Sequence, residues 1–206
     1  MLNSKGFDKW SGEYDNSIAE NSGGYPFEGY YNVLGFVQNL IKSKQHAKIL
    51  DLGVGTGLLT YQLYKKGAKI YGADFSKNML EKAKLKMPKA SFYYFDFSKG
   101  LPNDLKNLKF DYIVSSYALH HIENDKKVKL LKYLRKQLKP DGKIVIADIG
   151  FENKEILDKC RSEVGQEWDD EEFYLAGDEI IDRLAKLGMD VSYTQISFCA
   201  GVLEIG

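Results

Sequence analysis

Residues 49–57 read Ile49-Leu50-Asp51-Leu52-Gly53-Val54-Gly55-Thr56-Gly57. The apolar run Ala47–Leu52 predicts a buried strand. Glycines at 53, 55 and 57 let the chain turn sharply and let a ligand approach the backbone. The pattern Leu58–Lys66 predicts a helix, closed by Gly67 as a C-cap. The first turn of such a helix offers free N–H groups and a partial positive charge. In an open α/β sheet the crevice beyond the carboxyl ends of the strands is where ligands bind. Asp74 closes the next apolar stretch, 21 residues after Gly53 (74 − 53). A carboxylate at that spacing accepts hydrogen bonds from a ribose diol.

The alternation continues outward. Strands are predicted at Lys69–Ala73, Ser91–Phe95, Tyr112–Ser116 and Lys143–Ile149. Helical spacing predicts Lys77–Lys86, ending before Pro88, and a stripe of Val128, Leu131, Leu134 and Leu138 stopped by a Pro140-Asp141-Gly142 turn. Ile180, Ile181, Leu184 and Leu187 mark a further helix, ended by Gly188. Strands alternating with helices imply right-handed crossovers and a parallel sheet covered on both faces. The tail, Asp190–Ser197 then Phe198–Ile205, has no room for a crossover helix, so at least one of these strands is antiparallel. The expected fold is a doubly wound, Rossmann-like α/β sheet of seven strands, mostly parallel, with an antiparallel C-terminal strand. One domain is expected over 1–206: a cap at 1–45 and a ligand-binding core at 46–206. The cap is aromatic. Eight of the first 36 residues are Phe, Trp or Tyr, and Tyr30, Leu34, Val37 and Ile41 set a helix over about 28–43. Those rings either pack on the core or form a lid over a ligand.

Composition excludes several classes. The 206 residues are 44% hydrophobic and carry 29 basic and 29 acidic side chains, so a core can form and no basic surplus marks a nucleic-acid binder. No apolar run approaches a membrane span, and the start, Met1-Leu-Asn-Ser-Lys-Gly-Phe-Asp8, has no leader-like apolar region. Cys160 and Cys199 form no CxxC pair, and with three histidines no metal ligand set is visible. A cytoplasmic, metal-free chain, monomeric or homodimeric, is expected.

The loop discriminates among nucleotides. The dinucleotide fingerprint G-x-G-x-x-G requires glycine at 58, where this chain has Leu58. Asp51 precedes the glycines, and a carboxylate there would repel a pyrophosphate and attract an ammonium group. The ligand should carry a ribose and an amine. An NAD-dependent oxidoreductase is therefore disfavoured. His120 and His121 follow the fourth strand, where an acceptor would lie; they either take a proton near neutral pH or orient the loop. The acidic run Glu163, Glu167, Asp169, Asp170, Glu171, Glu172 reads as a solvated face or helix start, or else as a lid favouring cationic acceptors. The Lys-rich stretch Asp125–Lys132 reads as an exposed helix face.

With these motifs in place, the chain resembles the class I S-adenosylmethionine-dependent methyltransferases, in the small-molecule branch that includes the ubiquinone/menaquinone-biosynthesis type. The resemblance covers about residues 7–150. It implies that the loop backbone at Gly53, Gly55, Thr56 and Gly57 holds the methionine part of S-adenosylmethionine, with Asp51 beside it. It implies that Asp74 binds the ribose, that Phe75 and Met79 pack on adenine, and that Asp96 with Phe97 meets the adenine amino group. Phe110-Asp111-Tyr112-Ile113-Val114-Ser115-Ser116 resembles the fourth-strand motif, which puts Ser116 near the methionine part. Leu138-Lys-Pro-Asp-Gly-Lys-Ile144 resembles the family's L-K-P-G-G turn, with Asp141 in place of the first glycine. Phe7-Asp-Lys-Trp10-Ser-Gly-Glu-Tyr14-Asp15 resembles an N-terminal segment whose tyrosine folds over the cofactor, so Tyr14 joins His120 and His121 as a catalytic candidate. The implied reaction is methyl transfer to a small-molecule acceptor; a non-catalytic S-adenosylmethionine-binding protein is the alternative. Nucleic-acid methyltransferases acting on exocyclic amines carry [DN]-P-P-[YF] after the fourth strand; here the place reads Ser115-Ser116-Tyr117-Ala118, so no nucleic acid is expected as acceptor.

Overall fold

A computed structural model describes residues 18, 20, 23–41 and 45–206. Seven strands lie side by side: β1 (Lys48–Leu52), β2 (Lys69–Asp74), β3 (Ser91–Tyr94), β4 (Phe110–Ser116), β5 (Leu138–Phe151), β7 (Val191–Gln195) and β8 (Ala200–Ile205). Their order is β3-β2-β1-β4-β5-β8-β7, and a two-residue strand, β6 (Leu175–Ala176), pairs the end of β5. β8 runs antiparallel to both β5 and β7. The β1–β4 and β1–β2 pairs are parallel, so the carboxyl ends of β3, β2, β1, β4 and β5 come out along one edge.

Alternation along the strands feeds two cores. Ile49, Ile70, Val114 and Val145 face α1 (Tyr30–Leu40), α2 (Leu58–Lys65), α3 (Lys77–Lys86) and α5 (Lys154–Val164) through Val33, Val37, Leu59, Leu63, Ala83 and Leu157. Leu50, Leu52, Ile113, Ile144 and Leu203 face α4 (Asn124–Arg135) and α6 (Gly177–Ala185) through Leu130, Leu131, Leu134, Ile180 and Leu184. Each such leucine or isoleucine, once buried, contributes about 1.5–3 kcal/mol. The double layer of helices is thus the period-2 pattern of the strands met by the 3.6-residue pattern of the helices. The helix starts are fixed locally. Ser76 Oγ accepts the Met79 N–H at 3.2 Å, and Asn153 Oδ1 accepts that of Ile156 at 2.9 Å. Gly67, at φ +93°, ends the turn after α2.

Two expectations are corrected. The Pro140-Asp141-Gly142 turn before a fifth strand is instead part of β5, which begins at Leu138 and pairs Phe110 before the register shifts. Asp141 makes the irregularity at φ +61°, a left-handed conformation that Asp tolerates better than most residues. A Cβ at Gly142 would stand 3.0 Å from the carbonyl oxygens of Lys139 and Phe110, so any larger residue there would have to push backbone aside. The second correction concerns the Lys-rich helix face: Lys127 is fully buried, because it occupies the same stripe as Leu130, Leu131 and Leu134. The cap residues 1–17, including the expected position of Tyr14, lie outside the described residues. Among the described residues no helix is long and apolar enough to cross a membrane.

Candidate active site

The expected site residues lie along this strand edge in two halves. The first is built by β1, β2 and their loops. Gly53 N donates to the Ala73 carbonyl at 2.8 Å, and Gly57 N to that of Val54 at 2.8 Å, closing a tight turn. Gly53, Gly55 and Gly57 hold φ of +72°, +52° and +84°. A Cβ on Gly53 would lie 2.5 Å from Ala118 Cβ and 3.4 Å from Phe97, so glycine at 53 lets the β1 loop close against the chain after β4. A Cβ on Gly55 would meet nothing within 4 Å. Space over a bare backbone is what a closely approaching ligand needs.

Asp74 is nearly buried, and its carboxylate braces two loops at once. Oδ2 accepts the Gly55 N–H at 2.8 Å and Oδ1 that of Ser76 at 2.9 Å. Asp51 is 1% exposed; Oδ2 accepts from the Thr60 hydroxyl at 2.8 Å, while Oδ1 has no hydrogen-bond partner. A buried acceptor left open beside the glycine loop fits a ligand with an ammonium group. Burial, with the neighbouring Asp74 charge added, pushes the Asp51 carboxyl up to about 7.

That shift has a sign. The folded value lies above the ordinary 3.8, so folding favours the protonated form. Stability present below pH 4 is lost as pH rises through 7. Asp51→Asn, which cannot ionise, is therefore expected to exceed wild type by about 4 kcal/mol at pH 8, with the gap narrowing as pH falls from 7 toward 4. Calorimetric melting across that range checks this; a pH-independent gap removes Asp51 as the cause.

The remaining expected residues of this half lie along the same edge. Met79 is buried in the first turn of α3, Phe75 is half-buried, and Phe97 packs toward Gly53. Asp96 caps a short 3-10 turn, accepting from Ser98 N at 3.1 Å and Ser98 Oγ at 2.6 Å, with Lys99 at 3.1 Å. Ser116 is the last residue of β4, and Thr56 is buried with its hydroxyl 3.3 Å from Lys86 Nζ.

The second half lies beyond β4 and β5. His120 Nδ1 is 2.5 Å from Asp148 Oδ1, and the His120 backbone N–H donates to Asp148 Oδ2 at 3.0 Å. An ionised carboxylate only accepts, so Nδ1 carries the proton and the neutral imidazole keeps its lone pair on Nε2. Burial opposes charge on His120, but Asp148, through its charge and hydrogen bond, outweighs it and holds the imidazole above its ordinary value. His121, whose ring lies 4.0 Å from that of His120, is pushed down to about 3 by burial and by its neighbour. Glu172 Oε1 stands 3.6 Å from His120 Nε2 and 3.5 Å from His121 Nδ1. The acidic run is thus not uniformly a solvated face: Glu172 turns inward. Lys127, pushed down to about 8 by burial, donates to Asn124 Oδ1 at 3.0 Å and to the Phe173 carbonyl, and feels the Asp148 and Glu172 charges. Aromatic rings wall this half: Trp168 meets Tyr174 edge-on at 4.6 Å and stacks on Tyr25 at 6.0 Å.

Asp148, Glu172 and Lys127 were not singled out as site residues from sequence. Lys127 had a signal, its helical spacing from the apolar stripe. Asp148 had its place inside the apolar run Ile144–Ile149, and Glu172 had none; the meeting of each with His120 is set by long-range folding. Folding also gathers one donor atom each of His120, His121 and Glu172 within 4.8 Å of one another.

Residues 43–195 match a family model described as a methyltransferase domain. An uncharacterized methyltransferase of Alkaliphilus oremlandii is 38% identical over 152 residues, spanning 72% of this chain and 68% of that protein. One from Geobacillus kaustophilus is 31% identical over 208 residues, spanning 96% and 94%. Among solved structures, a DhpI-SAH complex superposes with a TM-score of 0.72 at 17% identity, covering 98% of this chain and 94% of that one. The magnesium protoporphyrin IX methyltransferase of Synechocystis PCC 6803 gives 0.62 at 17%, covering 100% and 87%.

Proposed function

The chain belongs to the class I S-adenosylmethionine-dependent methyltransferases, and we propose that its acceptor is a small molecule bound between the glycine loop and the His120–His121–Glu172 cluster. The observation that carries this reading is His120, fixed by buried Asp148 with Nε2 toward Glu172, beside a wall of Trp168, Tyr174 and Tyr25. A short polar end beside stacked rings suits a compact, partly apolar acceptor. Structural neighbours include a DhpI-SAM-HEP complex and the magnesium protoporphyrin IX enzyme, both named for ligands of small-molecule size.

The donor half fits its cofactor. We assign Asp74 to the ribose hydroxyls, Asp51 to the amino group, and the Gly53, Gly55, Thr56 and Gly57 backbone with Ser116 to the methionine part. Phe75, Met79, Asp96 and Phe97 are assigned to the adenine. When bound, the cofactor supplies an electrophilic methyl group on its sulfonium. The protein aligns the acceptor with that methyl and excludes water. His120 presents Nε2 to the acceptor's heteroatom; Asp148 fixes the tautomer, so that the neutral imidazole can receive a proton there, and favours the protonated form that results. His121 stays neutral and shapes the same end, while Tyr14, outside the described residues, is assigned a place over the cofactor.

Titration calorimetry tests the assignment. S-adenosylmethionine and S-adenosylhomocysteine are expected to bind and NAD not to bind. Asp74→Ala should weaken the nucleoside ligands by about 1.5–3 kcal/mol, the worth of hydrogen bonds to a charged group. Tighter binding of NAD, or unchanged affinity in the variant, would overturn the donor site. Turnover of a small-metabolite pool with isotopically labelled cofactor tests the acceptor class.

A further inference from the structure

We propose that His120, His121 and Glu172 together bind one divalent transition-metal ion. Each offers one donor atom, and the three atoms lie within 4.8 Å of one another. The distances are informative. Glu172 Oε1 is 3.6 Å from His120 Nε2 and 3.5 Å from His121 Nδ1, too long for strong hydrogen bonds. Donors bonded at about 2.1 Å to a tetrahedral ion stand about 3.4 Å apart. The two separations from Glu172 are those of coordination-shell edges rather than of strong hydrogen bonds, and all three donor atoms fall within 4.8 Å of one another.

Three further features support a built site. His120 turns its other nitrogen, Nδ1, to buried Asp148, the carboxylate–histidine arrangement that orients metal-binding imidazoles. The ligand-bearing segments are joined by main chain: Phe173 N donates to the His120 carbonyl at 2.8 Å, one residue from Glu172. Lys127 holds the Phe173 carbonyl from below. The donors are therefore gathered by hydrogen bonds that do not depend on the ion. Charge also bears on the ion: the Glu172 and Asp148 carboxylates face it, with the Lys127 amine beside them.

Two imidazoles and one carboxylate suit zinc, iron(II), cobalt or nickel better than magnesium or calcium. Three protein ligands leave coordination positions open, as in sites that bind an exchangeable ligand rather than purely structural ones. A donor atom of the acceptor could take such a position, with the ion at Nε2 standing where a proton otherwise would. That consequence rests on the acceptor reading above; ion binding itself does not.

The test uses the full chain, stripped with chelator and then titrated with Zn²⁺ and, separately, Co²⁺. One equivalent of Zn²⁺ is expected, with visible Co²⁺ bands of a four- or five-coordinate site. Glu172→Gln and His121→Ala should each weaken uptake roughly tenfold or more, and Asp148→Asn by about 10–100-fold. S-adenosylhomocysteine titrated into the same variants should bind as to wild type, so that loss of the metal site and loss of the donor site are separate results. If a variant does not fold, nuclear magnetic resonance of the wild-type imidazole protons decides: Zn²⁺ should move those of His120 and His121 and leave His46. No uptake above background, uptake unchanged in folded Glu172→Gln, or shifts confined to His46 would each overturn the proposal.

Discussion

Asp148→Ala is expected to lose about 3–5 kcal/mol of stability, the cost of removing one member of a buried charged pair. Asp148 is fully buried and accepts three hydrogen bonds, from His120 Nδ1, His120 N and Ile149 N. Alanine leaves all three donors without a partner where water cannot reach them. The pH dependence is specific. Burial would raise the Asp148 carboxyl, but His120 outweighs it and holds it below its ordinary 3.8, so this contribution is lost as pH falls through that low value. His120 is held above its ordinary 6.5, so its part is complete below 6.5 and lost as pH rises through the raised value. The deficit should therefore be greatest between about pH 4 and 6.5 and shrink at higher pH. Urea unfolding at pH 5.5 and 9 reads it; a loss under about 1 kcal/mol at pH 5.5 would refute the buried pair.

The second large effect is Gly53→Ala. The new Cβ would sit 2.5 Å from Ala118 Cβ, at a φ of +72°. Left-handed backbone costs alanine about 1–2 kcal/mol, and the overlap adds a further 1–3 kcal/mol. The loop must move away from the chain after β4, and a shift of about 1 Å in a positioning element can cost about 100-fold. Both a lowered melting temperature and at least that loss of S-adenosylhomocysteine affinity are expected. Gly55→Ala provides the contrast. Its Cβ enters open space, so stability should fall by only about 1–2 kcal/mol from the backbone while ligand affinity falls steeply. Equal stability losses in the two variants would mean that Ala118 does not set the loop.

The donor half was legible in the sequence because it is local. Strand, glycine loop, helix and acid lie within residues 47–74, and one supersecondary unit places them all. The parallel, doubly covered sheet followed from the alternation, and an antiparallel strand in the tail from the lack of a crossover. The acceptor half was only half legible. His120 and His121 stood out by type and position after the fourth strand. Asp148 and Glu172 lie 28 and 52 residues further on (148 − 120 and 172 − 120); the apolar run Ile144–Ile149 marks Asp148 as buried but names no partner for it, and Glu172 sits among other acids. Lys127 was misjudged for another reason. Its charge outweighed its phase on the helix, although burial follows phase when an amine has Asn124, a carbonyl and two carboxylates to meet. The turn at Asp141 was read as an end of structure because Pro and Gly usually punctuate; here the strand pairs through them with one register shift.

Asp74 ties Gly55 and Ser76 to a single carboxylate, and the consequence is kinetic. A glycine-rich loop left to itself would sample many shapes, and a ligand would have to freeze them on arrival. Here the ordering is completed when the chain folds, so association has little conformational entropy left to lose. Capture of the nucleoside should then proceed at a rate set by encounter rather than by loop closure, with affinity differences among nucleosides expressed in how slowly they leave.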